Sequence, residues 1–375
     1  MFDHPTAFSL WGRLEEEAIY RVMRSGYFTM GPEVEAFEHE FSQWHQMRHG
    51  IMVNSGSSAN LTAVAALFHK STNPLRRVKI GAALVPAVAW STTYAPLVQY
   101  GLDLRLLDID DTWNAPVPDW YPRTTTQLIV ACSILGNPAY EAEWKAQADS
   151  IGAHLLIDNC ESLGAFRDGV LTGTLGIMNT FSFFYSHQLG AIEGGMILTN
   201  DDECNRLCRM LRAHGWTRDV EKPERFEDEY NFEVMGYNAR PTEISAAVGR
   251  EQLKKLVAMN DARRENYRQF VSLTDGLPIW HPKSNGLMSP FGLQFECESK
   301  ERRADLVRAL RAEGIDCRLP TGGSFRLHKY GAPWADQKTP SADELHRRGL
   351  FIGNAPFPIP DKIEKAARIM RKVLL

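Results

Sequence analysis

Two carboxylates, a histidine and a run of small polar residues stand where apolar strands of this chain end. The stretch FSFFYSHQLGAIEGGM reads as a buried strand over Phe181–Tyr185, then a sharp exposed turn carrying His187. A Gly-Gly pair follows and leads into a second strand, GGMILTN. An imidazole presented at such a turn accepts and donates a proton near neutral pH. In LLIDNCES, Asp158 closes an apolar strand and Glu161 follows three residues later. A carboxylate at a strand end is desolvated at a cost unless it meets a cation or a donor. One fitting partner is a protonated pyridine nitrogen, as carried by pyridoxal phosphate; another is the first turn of the next helix.

The remaining chemical stretches are equally short. In VNSGSSANL a strand runs into Ser-Gly-Ser-Ser and then a helix. The amides of Gly56, Ser57 and Ser58 open that helix and can hold an anion such as phosphate, although a capped helix start has the same composition. PAVAWSTTYAP puts Trp90 at the start of a helix after another strand. Its flat indole suits stacking on a cofactor ring or packing in the core. AHGWTR and GYNARPTEISAA bring His214, Arg218, Asn238 and Arg240 into loop-to-helix segments. There a guanidinium can fork onto a phosphate or form a surface ion pair.

The elements that position these residues alternate. Amphipathic helices EEEAIYRVMRSG and EVEAFEHEFSQW come first. The strand of IMVNSG and the helix SSANLTAVAALFHK follow, the helix carrying Ser and Asn where caps belong. Strands VKIGAALVP, LDLRLLDID, QLIVACSIL, AHLLIDN, NTFSFFY and GGMILTN are interleaved with helices STTYAPLVQYG and AYEAEWKAQADSIG. Apolar strands alternating with helices predict an α/β domain: a mostly parallel sheet covered on both faces, with function at the C-terminal strand ends. The expected large domain spans residues 1–245. A small α+β domain over 246–375 opens on a long helical connection, EISAAVGREQLKKLVAMNDARRENYRQFVSL, with a break expected near Met259.

The chain has 375 residues, 44% hydrophobic and 23% charged, with a net charge of −4. It carries no basic run of nucleic-acid type, no apolar stretch long enough to span a membrane and no basic-then-apolar leader. A cytosolic protein with neither nucleic-acid nor membrane partners is expected. The charged loop 219–233 reads as a solvated excursion. Six cysteines (132, 160, 204, 208, 297 and 317) are scattered without CxxC or CxC, which predicts reduced thiols rather than a zinc or iron–sulfur site. His39, His45 and His49 are too dispersed to suggest a metal.

Taken in order, an anion-holding helix start, a stacking aromatic, an acid at a strand end and a strand–turn with Ser182 and His187 form the layout of an aspartate-aminotransferase-type fold. The stretches FTMG, VNSGSSANL, PAVAWSTTYAP, LGNP, DNCESLGA, FYSHQ, EGGM, AHGWTR, GYNARP and GREQLKKL resemble the DegT/DnrJ/EryC1/StrS sugar aminotransferase family over nearly the whole chain. Most members carry a lysine, bonded to the cofactor, where this chain has His187; the resemblance is nearest to the 3-dehydratases in which histidine replaces it. It implies a fold type I enzyme using pyridoxal 5′-phosphate and its pyridoxamine form, with glutamate as amino donor and a nucleotide-linked 4-keto-6-deoxy sugar, GDP-linked by resemblance, as substrate. It implies that Gly56, Ser57 and Ser182 hold phosphate, Trp90 stacks on the ring, Asp158 meets the ring nitrogen and Glu161 touches the cofactor beside it. Asn238 would reach the phosphate from a second subunit of a homodimer. Gly26, Tyr27, Phe28, Thr29, His214, Arg218 and Arg240 would contact the sugar nucleotide. The cysteine spacing does not suggest the cluster of the iron–sulfur 3-dehydrases. A nucleotide-sugar aminotransferase and a non-catalytic sugar-nucleotide-binding regulator remain alternative readings, and the segment 319–331, LPTGGSFRLHKYG, departs from the family pattern beside the expected substrate.

Overall fold

The computed structural model describes residues 2–70, 81–221 and 223–375. The N-terminal segment leads into helices α1 (Arg13–Ser25) and α2 (Pro32–Trp44). There follow β1 (His49–Val53), α3 (Gly56–His69), β2 (Ala82–Pro86), α4 (Ser91–Gln99), β3 (Asp103–Leu107), β4 (Thr126–Cys132), α5 (Glu141–Ile151) and β5 (His154–Asp158). A short hairpin of β6 (Phe166–Arg167) and β7 (Val170–Leu171) precedes β8 (Met178–Ser182), β9 (Gly195–Thr199) and α6 (Asp202–Arg212). Val78–Ile80 of the expected strand VKIGAALVP lie outside the described residues; its remainder forms β2.

Seven strands make one sheet in the order β1-β9-β8-β5-β4-β2-β3. The strands β8, β5, β4, β2 and β3 pair in parallel, and β9 runs antiparallel between β8 and β1. The strands β2, β4, β8 and β9 are buried at every position, as a sheet covered on both faces requires. Helix α3 buries Ala59, Ala63, Val64, Ala66 and Leu67 against one face. On the other, Trp144 and Ala148 of α5 pack with Ile129, Leu155 and Ile157.

Helix α7 (Glu243–Leu273) then runs unbroken for 31 residues. The break expected near Met259 does not occur: Met259 is buried, the sequence there holds neither Gly nor Pro, and Leu256 and Met259 pack continuously against the first core. The start of α7 is tied to α2. The buried carboxylate of Glu243 accepts the amides of Gly31, Glu33 and Val34 at the N-terminus of α2, each at 2.8–2.9 Å, where helix amides otherwise lack partners. The chain continues through β10 (Ile279–Trp280), β11 (Gly292–Cys297), α8 (Lys300–Ala312), β12 (Cys317–Arg318), α9 (Pro340–Arg348), β13 (Gly349–Gly353) and α10 (Pro360–Leu374). These four strands form a second, antiparallel sheet in the order β10-β11-β13-β12. Phe270 of α7 enters its core together with Phe295, Leu306, Ile352 and Ile363. The N-terminal segment returns to this unit, since His4 pairs with Ile315 and its ring bonds the carbonyl of Gly353 at 2.7 Å.

Candidate active site

The parallel register places Cys132, Asp158 and Thr180 side by side at the C-terminal ends of β4, β5 and β8. A cavity of about 510 Å³ opens at that edge. Gly56, Ser57, Trp90, Asp158, Glu161, Ser182 and His187 all line it, and Arg318, Leu319, Thr321 and Gly322 of the C-terminal unit close it from the far side. Of the segment 319–331, therefore, the first four residues include three that border the cavity.

The anion cradle is built by close packing. Ser55 caps α3, its hydroxyl accepting the amide of Ser58 at 3.1 Å, so the amides of Gly56 and Ser57 at the helix start remain for a ligand. A Cβ on Gly56 would lie 2.6 Å from Cβ of Ser182 and 2.9 Å from Sγ of Cys160; only glycine lets the helix start meet the end of β8. Gly195 at the start of β9 is pressed equally close, 2.3 Å from the carbonyl oxygen of Ser55 by the same measure. Trp90 precedes α4 and is 56% exposed at the cavity, so its indole is a free face rather than a core plug. Next to it, the hydroxyls of Thr92 and Ser57 meet at 2.7 Å.

Asp158 is buried and held by three donors. Its Oδ2 accepts from Asn60 at 2.8 Å and from the hydroxyl of Thr93 at 2.7 Å, and its Oδ1 accepts the amide of Cys160 at 3.2 Å. Asn60 is oriented in turn by the hydroxyl of Thr180, which donates to it at 2.6 Å. The asparagine expected as a cap of this helix is thus a buried bridge between two strand ends. Glu161 accepts the amide of Leu135 at 2.9 Å and the hydroxyl of Thr321 at 2.8 Å, both on Oε2. Both donors belong to left-handed backbone, with φ of 48° at Leu135 and 42° at Thr321, an uncommon conformation for such side chains. Burial pushes the Glu161 carboxyl up to about 7, against those two donors and with the help of nearby Asp158.

His187 sits one turn beyond β8. That strand ends at Ser182 rather than at the expected Tyr185, because the Ser182 hydroxyl accepts the amide of Phe184 at 3.3 Å and curls the chain away. The imidazole packs between the rings of Phe184 and Phe291, with centroids 5.9 and 5.2 Å away, and its Nδ1 is buried without a partner. Burial pushes the ring down to about 4, opposed by a hydrogen bond to the Ser182 backbone and by Asp158. At neutral pH it is a neutral base. Among the described residues lining the cavity there is no lysine.

The other expected contacts gather elsewhere. Thr29 bridges to Thr242, and Phe28 accepts the amide of Glu243. Ala213 pairs with Asn238, and the amide of His214 donates to Tyr237. Arg218 lies over the ring of Trp216 at 5.0 Å. Gly26, Tyr27, Phe28, Thr29, His214, Arg218, Asn238 and Arg240 are absent from the lining of this chain's own cavity. Phe28 and Thr29 meet the start of α7, Asn238 and Arg240 lie just before it, and Tyr27 and Phe28 are exposed.

Sequence reasoning reads Asn60 only as a helix cap and Thr321 only as part of the segment 319–331, and it passes over Thr93 and Arg318. Arg318 is the one Lys or Arg among the described lining residues. Among the described residues no group of three or more His, Cys, Asp or Glu side chains is placed to hold a metal ion, and no helix is long and apolar enough to cross a membrane.

An amide cradle, an indole face and a fixed carboxylate about one cavity fit a phosphorylated pyridine of the pyridoxal type. The cradle that a Cβ would fill and the doubly donated Oδ2 of Asp158 are the features that make the fit. The sheet order and strand-end site define the α/β fold of aminotransferase-type, fold type I enzymes. A profile of the DegT/DnrJ/EryC1/StrS aminotransferase family matches residues 11–371, and the chain belongs to that family. It is 37% identical to the GDP-4-keto-6-deoxy-D-mannose 3-dehydratase of Yersinia pseudotuberculosis, over 99% of this chain and 99% of that protein. A solved structure of the E. coli GDP-4-keto-6-deoxy-D-mannose-3-dehydratase with bound hydrated PLP matches with a TM-score of 0.90 at 37% identity, covering 99% of this chain and 100% of that one. A mutant of a GDP-4-keto-6-deoxymannose-3-dehydratase with bound GDP-perosamine matches with a TM-score of 0.90 at 36% identity, over 98% and 100%.

Proposed function

We propose that this protein is a pyridoxal/pyridoxamine phosphate-dependent 3-dehydratase. It removes the C3 hydroxyl of a nucleotide-linked 4-keto-6-deoxy sugar, GDP-4-keto-6-deoxymannose being the best fit, with glutamate as amino donor. The product class is a 4-keto-3,6-dideoxy sugar, as needed for colitose in a lipopolysaccharide O-antigen. The single observation that carries the reading is His187, a neutral imidazole lining the cavity where most members of the family place a lysine.

The cofactor, when bound, supplies an amine that shuttles between glutamate and the sugar ketone and a ring that accepts electron density. Gly56, Ser57 and Ser182 would hold its phosphate, Trp90 would cover the ring, Asp158 would keep the ring nitrogen protonated and Glu161 would bond beside it. His187 takes a proton from the carbon bearing the amine and returns it to the departing C3 hydroxyl; an imidazole suits both directions near neutrality. It cannot tether the cofactor as lysine does, so the amide cradle, Trp90 and Asp158 would hold that group without a covalent bond.

Asn238, His214, Arg218, Arg240 and Gly26–Thr29 serve the cavity of a second chain in a homodimer. Their grouping away from this chain's cavity, with Tyr27 and Phe28 exposed, supports that arrangement. Residues 1–245 act as the cofactor domain and 246–375 as the small domain that closes over it. Six free thiols favour a reducing, cytoplasmic setting, with neither nucleic acid nor membrane as partner.

The test is incubation with pyridoxal phosphate, glutamate and GDP-4-keto-6-deoxymannose, read by product mass. Loss of oxygen at C3 with release of ammonia is expected, and His187→Lys should abolish it. A lasting 4-amino sugar from the wild type identifies an aminotransferase instead, and no turnover with any 4-keto nucleotide sugar identifies a regulator.

A further inference from the structure

The turn that carries His187 is held from the protein interior by a cation that has no ion-pair partner among the described residues. Arg263 lies on α7, 1% exposed. Its Nη1 donates to the carbonyl of Gln188 and its Nη2 to the carbonyl of His187, each at 3.2 Å, while its Nε has no partner. Among the described residues no carboxylate is paired with it, and burial pushes the guanidinium down to about 9. A buried cation without an anion is costly, and an apolar side chain of similar bulk would avoid that cost. Its presence therefore calls for a role beyond packing.

The imidazole itself supplies that role. A histidine base is commonly oriented by a third group on its second nitrogen, yet Nδ1 of His187 is buried and unpartnered. The direction of the ring is thus set by its hydrogen bond to the Ser182 backbone, by its own main chain and by the flanking rings of Phe184 and Phe291. Two clamps fix that main chain. Arg263 holds the two carbonyls from behind. Gln188, itself 1% exposed, donates to the carbonyls of Glu161 at 2.6 Å and Ser289 at 2.7 Å. The carbonyl of Arg263 in turn accepts from Asn354 at 2.9 Å, next to β13.

We propose that Arg263 is the positioning residue of His187. It fixes the turn through the carbonyl oxygens of His187 and Gln188. The charges about the ring are Asp158 on β5, which favours the imidazolium, and Arg263 on α7, which disfavours it. Glu161, Glu193, Cys132, Cys160 and Arg318 line the same cavity. This inference rests on the reading of His187 as the proton carrier.

The experiment compares the wild-type holoenzyme with Arg263→Lys and Arg263→Met, each checked for fold and for cofactor content. Lysine keeps the charge and loses the fork, so kcat should fall with KM for the nucleotide sugar within twofold and the acid limb of kcat unmoved. Methionine loses both, so kcat should fall by ~100-fold, the scale of a misplaced catalytic group, with KM for the nucleotide sugar again within twofold. Added guanidinium should restore part of the loss in Arg263→Met and none in His187→Asn. In parallel, the His187 ring signals are compared by NMR in the wild type and both Arg263 variants without substrate. Displaced ring signals in the variants are expected, and identical signals in all three overturn the proposal. Folded variants that keep kcat within twofold overturn it too. The NMR comparison does not depend on which sugar is processed, so it separates failure of this inference from failure of the dehydratase reading.

Discussion

The hydroxyl of Thr321 donates to the carboxylate of Glu161 across 2.8 Å. This bond joins the C-terminal unit to the wall of the cavity, and the donor stands in left-handed backbone between Pro320 and Gly322. It stabilises the ionised carboxylate, working against the burial that pushes Glu161 up to about 7. Thr321→Val keeps the shape and removes the donor. A hydrogen bond to a charged group contributes roughly 1.5–3 kcal/mol, so the Glu161 transition should move up by about one to two pH units. Cofactor absorbance titrated between pH 5 and 9 reads this. The inflection should be near 7 in the wild type, higher in Thr321→Val and missing in Glu161→Gln. An identical inflection in all three would remove Glu161 from the cofactor's surroundings.

Asp158 relies on Thr93 and Asn60 in the same way. Thr93→Val leaves one side-chain donor on Oδ2 and turns the carboxylate toward a looser position. Its cofactor affinity should fall by about tenfold, the effect of losing one hydrogen bond to a charged group, while thermal stability without cofactor changes little. Equilibrium dialysis at fixed pH measures the affinity, and an unchanged value would show that Asp158 is held by other means.

Shared active sites predict complementation. Chains carrying His187→Asn and chains carrying Arg218→Ala should each be inactive as homodimers. Refolded together, they should recover about a quarter of wild-type activity, because half of the two-fold symmetric dimers are mixed and each of those has one intact site. Tagged chains purified in tandem give the mixed dimer directly. Activity no higher than in the parents would mean that each chain completes its own site.

Glu141 gives a pH dependence of stability remote from the cavity. Its carboxyl is 5% exposed and accepts the amide of Gly173 at 3.0 and 3.1 Å. Burial nevertheless pushes it from 4.5 up to about 8. The folded protein thus holds a proton that the unfolded chain gives up near 4.5. The stabilisation is full below that pH and is lost as pH rises through 8. In that window Glu141→Gln should gain on the wild type by about 1.4 kcal/mol per pH unit. Urea unfolding at pH 5, 6, 7 and 8 measures the gap; curves that stay parallel would show that the carboxyl ionises normally when folded.

Much of the site is legible in the sequence because its residues follow apolar strands. Asp158 closes LLID, His187 follows FSFF, and Ser-Gly-Ser-Ser separates a strand from a helix; polar groups at such junctions face the open edge of a parallel sheet. Asn60, Thr93 and Arg263 are hidden for the opposite reason. Each lies inside a helical pattern, and its partner is 98, 65 or 76 residues away in the chain, so no local spacing marks it. The end of β8 and the continuity of α7 were misjudged from local pattern alone: Ser182 turns the chain through its side chain, and tertiary packing carries the helix past Met259. The sugar-contact residues are recognisable as a set, but their separation from this chain's cavity is set by the tertiary path of the loops at the start of α7.

Helix α7 is 31 residues long, roughly 46 Å at the usual rise. Its first turn stands among the loops of Thr29 and Asn238, its middle bears Arg263 behind the histidine turn, and its last turns enter the C-terminal core through Phe270. A stiff axle of this kind links three places that local motions would otherwise keep independent. Rocking the C-terminal unit toward the cavity would also swing the anchor behind the imidazole, so substrate enclosure and alignment of the base become one movement.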